Sequence, residues 1–257
     1  MTFRRIEPEK LSQAVVRQIE DLILRGVLRP GERLPAERDL SEKLGVSRPS
    51  LREAVAHLQE QGLLTARAGS GVFVAEVLGS AFSPALVRLF ATNEDAVFDY
   101  VDFRRDLEGL AAERAARMAS DTDLKVIDTI YRRMEVAHRK RNPADEARLD
   151  AEFHLSIVEA SHNVITLHMM RSMFELLREG VFYNRQIMFR QRATRDTLLA
   201  QHGDINRALQ ERDPDAARAA VAAHMDFVAR CLKEQQKADK HEAVSRQRLE
   251  HEQARRG

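Results

Sequence analysis

Residues 34–74 read LPAERDLSEKLGVSRPSLREAVAHLQEQGLLTARAGSGVFV, a stretch that predicts two short helices, a tight turn and a two-stranded hairpin. Leu40 and Leu44 give the first helix an apolar edge, and Gly45-Val46 breaks it. Ser47 is placed to cap the second helix, with Pro49 tolerated in its first turn. Leu51, Val55 and Leu58 then recur at i, i+4 and i+7, the spacing of one buried face. Ser47, Arg48, Ser50 and Arg52 lie at the N-terminal end and on the other face. Hydroxyls and guanidinium groups offered from the first turns of a helix suit a major groove of duplex DNA. Past Gln61-Gly62, Leu63 to Arg67 and Gly71 to Val74 read as strands joined by Ala68-Gly69-Ser70-Gly71, a hairpin that would lie beside the DNA backbone. An ordinary helical hairpin with a charged face is the plainer alternative. The hairpin that follows at once, and the arginines gathered at one helix end, weigh against it.

On the N-terminal side, residues 1–8 form a loose arm carrying Arg4 and Arg5. KLSQAVVRQIEDLILRG follows as a helix with Leu11, Val15, Ile19, Leu22 and Ile23 on one face, then a turn at Arg29-Pro30-Gly31-Glu32. Residues 75–84 read as a linker punctuated by Gly79 and Pro84. From there to about residue 235 every segment has helical period. One helix begins after Asn93, one is capped by Asp121, and one opens with Pro143 after Asn142; the rest run through NVITLHMMRSMFELLRE, TRDTLLAQHGDINRALQERD and PDAARAAVAAHMDFVARCLKEQQ. The fold class is therefore mainly α. An N-terminal winged helix-turn-helix (9–77) is followed by a linker and first helix (78–94), an all-α bundle of six or seven helices (95–235) and a polar tail (236–257). That tail is polar on all sides, either a solvated helical extension or a disordered end.

Composition narrows the function classes. Hydrophobic residues at 44% support a real core, and a net charge of +1 excludes a chain coated in basic residues. In residues 1–75 the 12 Lys and Arg exceed the 10 Asp and Glu by only two, so placement rather than bulk charge carries the nucleic-acid argument. A single cysteine, Cys231, excludes an intramolecular disulfide framework and fits a reducing compartment. With no apolar run long enough for a membrane span or a signal peptide, the expected place is the cytoplasm.

A second site is suggested within the helical half. Asp150 and His154 are one turn apart, on a face that also carries Phe153, Ile157 and Val158. His202 shares a stripe with Leu198, Ile205 and Leu209, and His224 with Ala217, Val221 and Val228. A lone histidine on an apolar face is usually a satisfied core residue. Four such groups on three helices each need a partner, and a shared divalent cation would serve all of them. His162 and His168 are spare histidines that could replace one of the four.

The stretch LPAERDLSEKLGVSRPSLREAVAHLQEQGLL, with its Gly-rich wing and VFV, resembles the winged helix-turn-helix of the GntR family of bacterial transcription regulators. The resemblance implies that Arg38, Arg48 and Arg52 contact bases or phosphates, that Ser47 and Ser50 bind phosphate, and that Gly69 lets the wing tip approach the minor groove. DAEFHLSIVEASHN and QHGDINRALQERDPDAARAAVAAHM resemble the C-terminal FCD ligand-binding domain of the family's FadR branch. Many members of that branch hold a metal with one Asp and three His, which match Asp150, His154, His202 and His224. The resemblance thus implies a divalent metal: zinc, with nickel or manganese as alternatives. It also implies a small organic acid such as pyruvate or lactate at the metal's open positions, clamped by Arg104 and with Asn163 nearby. Arg104 could instead be a solvated partner of Glu108, and Asn163 a helix cap. Within the branch the motifs look most like repressors of pyruvate dehydrogenase genes, although these lack part of the Asp/His set that is complete here. The expected molecule is a homodimeric, DNA-binding repressor that reads an inverted-repeat operator, with no catalytic residues. A metal-dependent enzyme of organic-acid metabolism and a regulator with a purely structural metal are the rival readings.

Overall fold

The computed structural model describes residues 10–75, 83–178 and 192–255. The N-terminal arm with Arg4 and Arg5, and most of the expected linker, lie outside the described residues. The chain divides into two compact units, residues 1–81 and 82–257.

The first unit holds α1 (Leu11–Leu24), α2 (Glu37–Leu44), α3 (Arg48–Glu60), β1 (Leu64–Arg67) and β2 (Gly71–Val74). Val15, Val16, Ile19 and Ile23 of α1 pack against Leu51, Ala54 and Leu58 of α3, with Leu34, Leu64 and Val74 closing the core. Leu11, expected on that face, is 58% exposed, because it is the first residue of α1 and its Cβ tilts back off the end of the packed surface. Gly45 ends α2 in the left-handed region at φ 65°, where a side chain would be strained. The Ser47 hydroxyl then accepts from the Ser50 backbone N–H, capping α3 with Pro49 in its first turn.

The two strands are antiparallel, with Leu64 opposite Val74 and Arg67 opposite Gly71. The turn between them closes through Ser70 N–H to the Arg67 carbonyl. The sequence did not suggest a third participant in this hairpin. Arg33 bridges to Phe73, and the Leu34 N–H donates to the Val72 carbonyl, so residues 33–34 lie along the free edge of β2.

The second unit holds α4 (Pro84–Thr92), α5 (Glu94–Met118), α6 (Asp121–Lys140), α7 (Pro143–Ala160), α8 (Val164–Arg178), α9 (Arg192–Gln210) and α10 (Pro214–Ala254). Ala112, Ala115 and Ala116 of α5 are buried in one core with Ala217 and Val221 of α10, and these small side chains let the two helices lie closely together. Phe153 of α7, Ile127 of α6, Ile205 and Leu209 of α9, and Met225 of α10 meet in one core. Ser120, not Asp121, caps α6: its hydroxyl accepts from Asp123 N–H while the Asp123 carboxylate accepts from Ser120 N–H. This reciprocal pair satisfies two donors at once, which a cap one residue later would forgo. Ser120→Ala is expected to lower stability by ~1 kcal/mol, read from urea unfolding. Of the two options for the tail, the helical extension is found: α10 runs to Ala254 with residues 237–255 exposed.

Candidate functional site

The four expected metal ligands are brought together. Each of Asp150 and His154 on α7, His202 on α9 and His224 on α10 offers one ligand atom, and these atoms lie within 4.8 Å of one another. All four side chains are buried. His202 Nε2 is 3.2 Å from Asp150 Oδ1 and 3.3 Å from His154 Nε2. The His224 ring centroid is 4.5 Å from that of His202 and 5.1 Å from that of His154. Burial above all, then the neighbouring His202 and His154, holds the His224 pKa well below the usual imidazole range. Its ring is therefore neutral at physiological pH, the form that binds a metal. Phe153 walls the group with its ring edge-on to both His154 and His202. The donor set, three imidazoles and a carboxylate in an apolar shell, fits a first-row divalent ion.

Two side chains on the outside of this group were not assigned from the sequence. Glu108 on α5 is 2% exposed, with Oε2 at 2.6 Å from His154 Nδ1 and Oε1 accepting from Arg104 Nε at 2.5 Å. Burial pushes this carboxyl up, but Arg104 and His154 overcome it and hold the pKa at about 2. Gln201, just before His202, has its Oε1 at 3.1 Å from His224 Nδ1. The i+4 spacing of Glu108 to Arg104 suggests only a solvated pair and no contact to His154; nothing in the sequence points to Gln201.

Arg104 does pair with Glu108, but inside the protein and not in solvent, since it is only 1% exposed. Its guanidinium also lies over the rings of Phe174 and Tyr100. Asn163 caps α8, its Oδ1 accepting from the N–H groups of Ile165 and Thr166 at 3.1 Å each. His162 is on the surface against Asp123, and His168 sits on α8, so neither belongs to the four. A small cavity of about 10 Å³, room for roughly one water, lies against His202 and is lined by Met134, His138, Glu146, Arg195 and Leu199.

In the first unit the expected nucleic-acid residues are on the surface. Arg38, Ser47, Arg48, Arg52 and the wing-tip Gly69 are exposed, and Ser50 is half-buried. The carboxylate of Glu37, at the start of α2, is ion-paired with two arginines of α3: Arg48 Nε at 3.0 Å and Arg52 Nε at 2.8 Å. The Arg52 hydrogen bond is the main cause that lowers the Glu37 pKa. The Ser47 and Ser50 hydroxyls are 2.9 Å apart. Gly69 has φ 70° and open space where a Cβ would sit, so the wing tip presents bare backbone.

Comparison with known proteins accounts for both units. Residues 11–74 match the bacterial regulatory proteins of the gntR family, and residues 99–227 match the FCD domain. The chain belongs to the GntR family of bacterial regulators, with an FCD domain. This GntR protein is 35% identical, over 88% of its own length and 88% of the other's, to a regulatory protein named for the L-lactate dehydrogenase operon of Escherichia coli K12. It is 32% identical to the Glc operon transcriptional activator of the same organism, over 88% of this chain and 90% of that one. Among solved structures, Streptococcus agalactiae GntR aligns with a TM-score of 0.51 at 25% identity, over 85% of this chain and 99% of that one. The GntR chain is accordingly a DNA-binding transcriptional regulator and not an enzyme. None of its described helices is long and apolar enough to cross a membrane.

Proposed function

We propose that this GntR regulator is a cytoplasmic homodimer that represses transcription from an inverted-repeat operator and is released by a small organic acid, such as pyruvate or lactate. In this reading Asp150, His154, His202 and His224 hold a divalent ion, zinc or else nickel or manganese. Arg38, Ser47, Arg48, Ser50, Arg52 and Gly69 meet the DNA. The observation that carries the effector reading is the charge of the buried centre. Asp150 and Glu108 contribute two negative charges against one positive charge on Arg104, a net charge that repels an organic anion. A divalent ion reverses the sign to a single positive charge, the complement of one carboxylate. When bound, the ion would supply open coordination positions for the carboxylate and the neighbouring keto or hydroxyl oxygen of an α-substituted acid.

Arg104 is our candidate to orient the acid's carboxylate, and Asn163 a lesser one through its place at the head of α8. Binding there would bias the bundle helices and, through the linker, the spacing of the two winged units. Two half-sites must be met together, so a change in spacing lowers operator affinity. The name of the E. coli relative, an L-lactate dehydrogenase operon regulator, supports the choice of acid. Thermal-shift screening with pyruvate, lactate and related acids, with and without chelator, tests the reading. At about 100-fold excess over Kd the correct acid should add ~2.7 kcal/mol of stability. That gain should vanish with chelator. A metal that stabilises the protein while no acid adds to it would mark the metal as purely structural, and an operator bound more tightly with acid would make the protein an activator.

A further inference from the structure

We propose that Glu108 and Gln201 are positioning residues that fix the ring tautomers of His154 and His224, so that each imidazole turns its Nε2 toward the shared centre. The assignment rests on the metal reading above. A neutral imidazole has one N–H and one bare nitrogen, and only the bare nitrogen binds a cation. Which nitrogen is bare depends on what the other one meets. His154 has its Nδ1 2.6 Å from the Glu108 carboxylate, and His224 has its Nδ1 3.1 Å from the Gln201 amide oxygen. At His224 the Gln201 oxygen can only accept, and at His154 the negative Glu108 carboxylate against Nδ1 draws the proton there by charge, so both Nδ1 atoms carry the proton and both Nε2 atoms are left bare. The geometry at the other end agrees for His154: its Nε2 is the atom that faces His202 Nε2 at 3.3 Å and Asp150 Oδ1 at 3.8 Å.

The two positions are built differently. Glu108 is anchored by Arg104, which holds the carboxylate in place and balances its charge where both side chains are buried. Gln201 is half-buried and precedes His202 on α9, so the orienting group for one ligand sits on the helix that supplies another. Partners of this kind typically change metal affinity by roughly 10–100-fold when removed.

The test compares wild type with Gln201→Leu, Gln201→Glu and the charge-balanced double variant Arg104→Met/Glu108→Leu. Zinc affinity is measured by competition with a chromophoric chelator. Histidine tautomers are read from long-range proton–nitrogen spectra of the metal-free proteins at mildly alkaline pH. The leucine variants should bind Zn²⁺ about 10–100-fold more weakly. Their His224 or His154 signal should also lose its Nδ1–H pattern, while circular dichroism remains that of the wild type. Gln201→Glu keeps the acceptor and should hold zinc within a few-fold of wild type. A merely structural role would shift metal-free melting but leave tautomer and affinity alone. Unchanged zinc affinity in both leucine variants, or Nε2–H tautomers in wild type, overturns this assignment alone. A wild type that takes up none of zinc, nickel and manganese overturns the metal reading and this assignment with it.

Discussion

His202→Ala/His224→Ala is expected to emerge from gentle purification with little or no metal, against near-stoichiometric metal in wild type by elemental analysis. The two imidazoles come from different helices, α9 and α10, and their rings face each other with centroids 4.5 Å apart. Removing them leaves Asp150 and His154, one turn apart on α7, which is a bidentate site at best. Losing two of four direct donors must exceed the roughly 10–100-fold loss that follows removal of an outer partner. Folding should survive, because deleting two buried imidazoles also removes two polar groups that the metal-free core has to satisfy. Operator binding without effector should remain near wild type, since the proposed DNA-contacting residues of α3 belong to the other unit, whereas release by acid should be lost. A wild type that is metal-free as purified, or a double variant that keeps its metal, would sink the centre.

The parts of the molecule that could be read in advance are those fixed locally. Gly45, Ser47, Gly62 and the Gly69-Ser70-Gly71 tip mark the ends of α2, α3 and the hairpin because each meets a backbone demand that few other residues meet. Asp150, His154, His202 and His224 could be picked out because ionisable groups on apolar stripes must be accommodated together. What stayed hidden is set by packing between distant segments. Glu37 precedes Arg48 and Arg52 by more than ten residues, and only the turn at Gly45-Val46 folds it back onto them. Arg33 reaches the wing because β2 needs an edge partner, a requirement invisible in RPGER itself. Arg104 and Glu108 have the spacing of a commonplace solvated pair worth little. Their burial depends on Tyr100, Phe174 and His154 closing around them.

Arg48→Ala and Arg52→Ala are each expected to weaken operator binding by ~1–3 kcal/mol per contact if the guanidinium is bidentate to a base. In a two-fold dimer each substitution occurs twice, so the loss per complex is about double. The two residues are one turn apart on α3, exposed, and tied to the same carboxylate of Glu37. That tie orients both guanidinium groups before DNA arrives. It also makes the substitutions non-additive, because removing one arginine frees a Glu37 oxygen for the other. Anisotropy titrations over a salt series then separate the roles. A base contact shows as a loss confined to the operator, with the salt slope unchanged. A phosphate contact weakens operator and random duplex alike and reduces the slope by about one. Unchanged affinity in both single variants would place the DNA surface elsewhere on the winged unit, away from the first turns of α3.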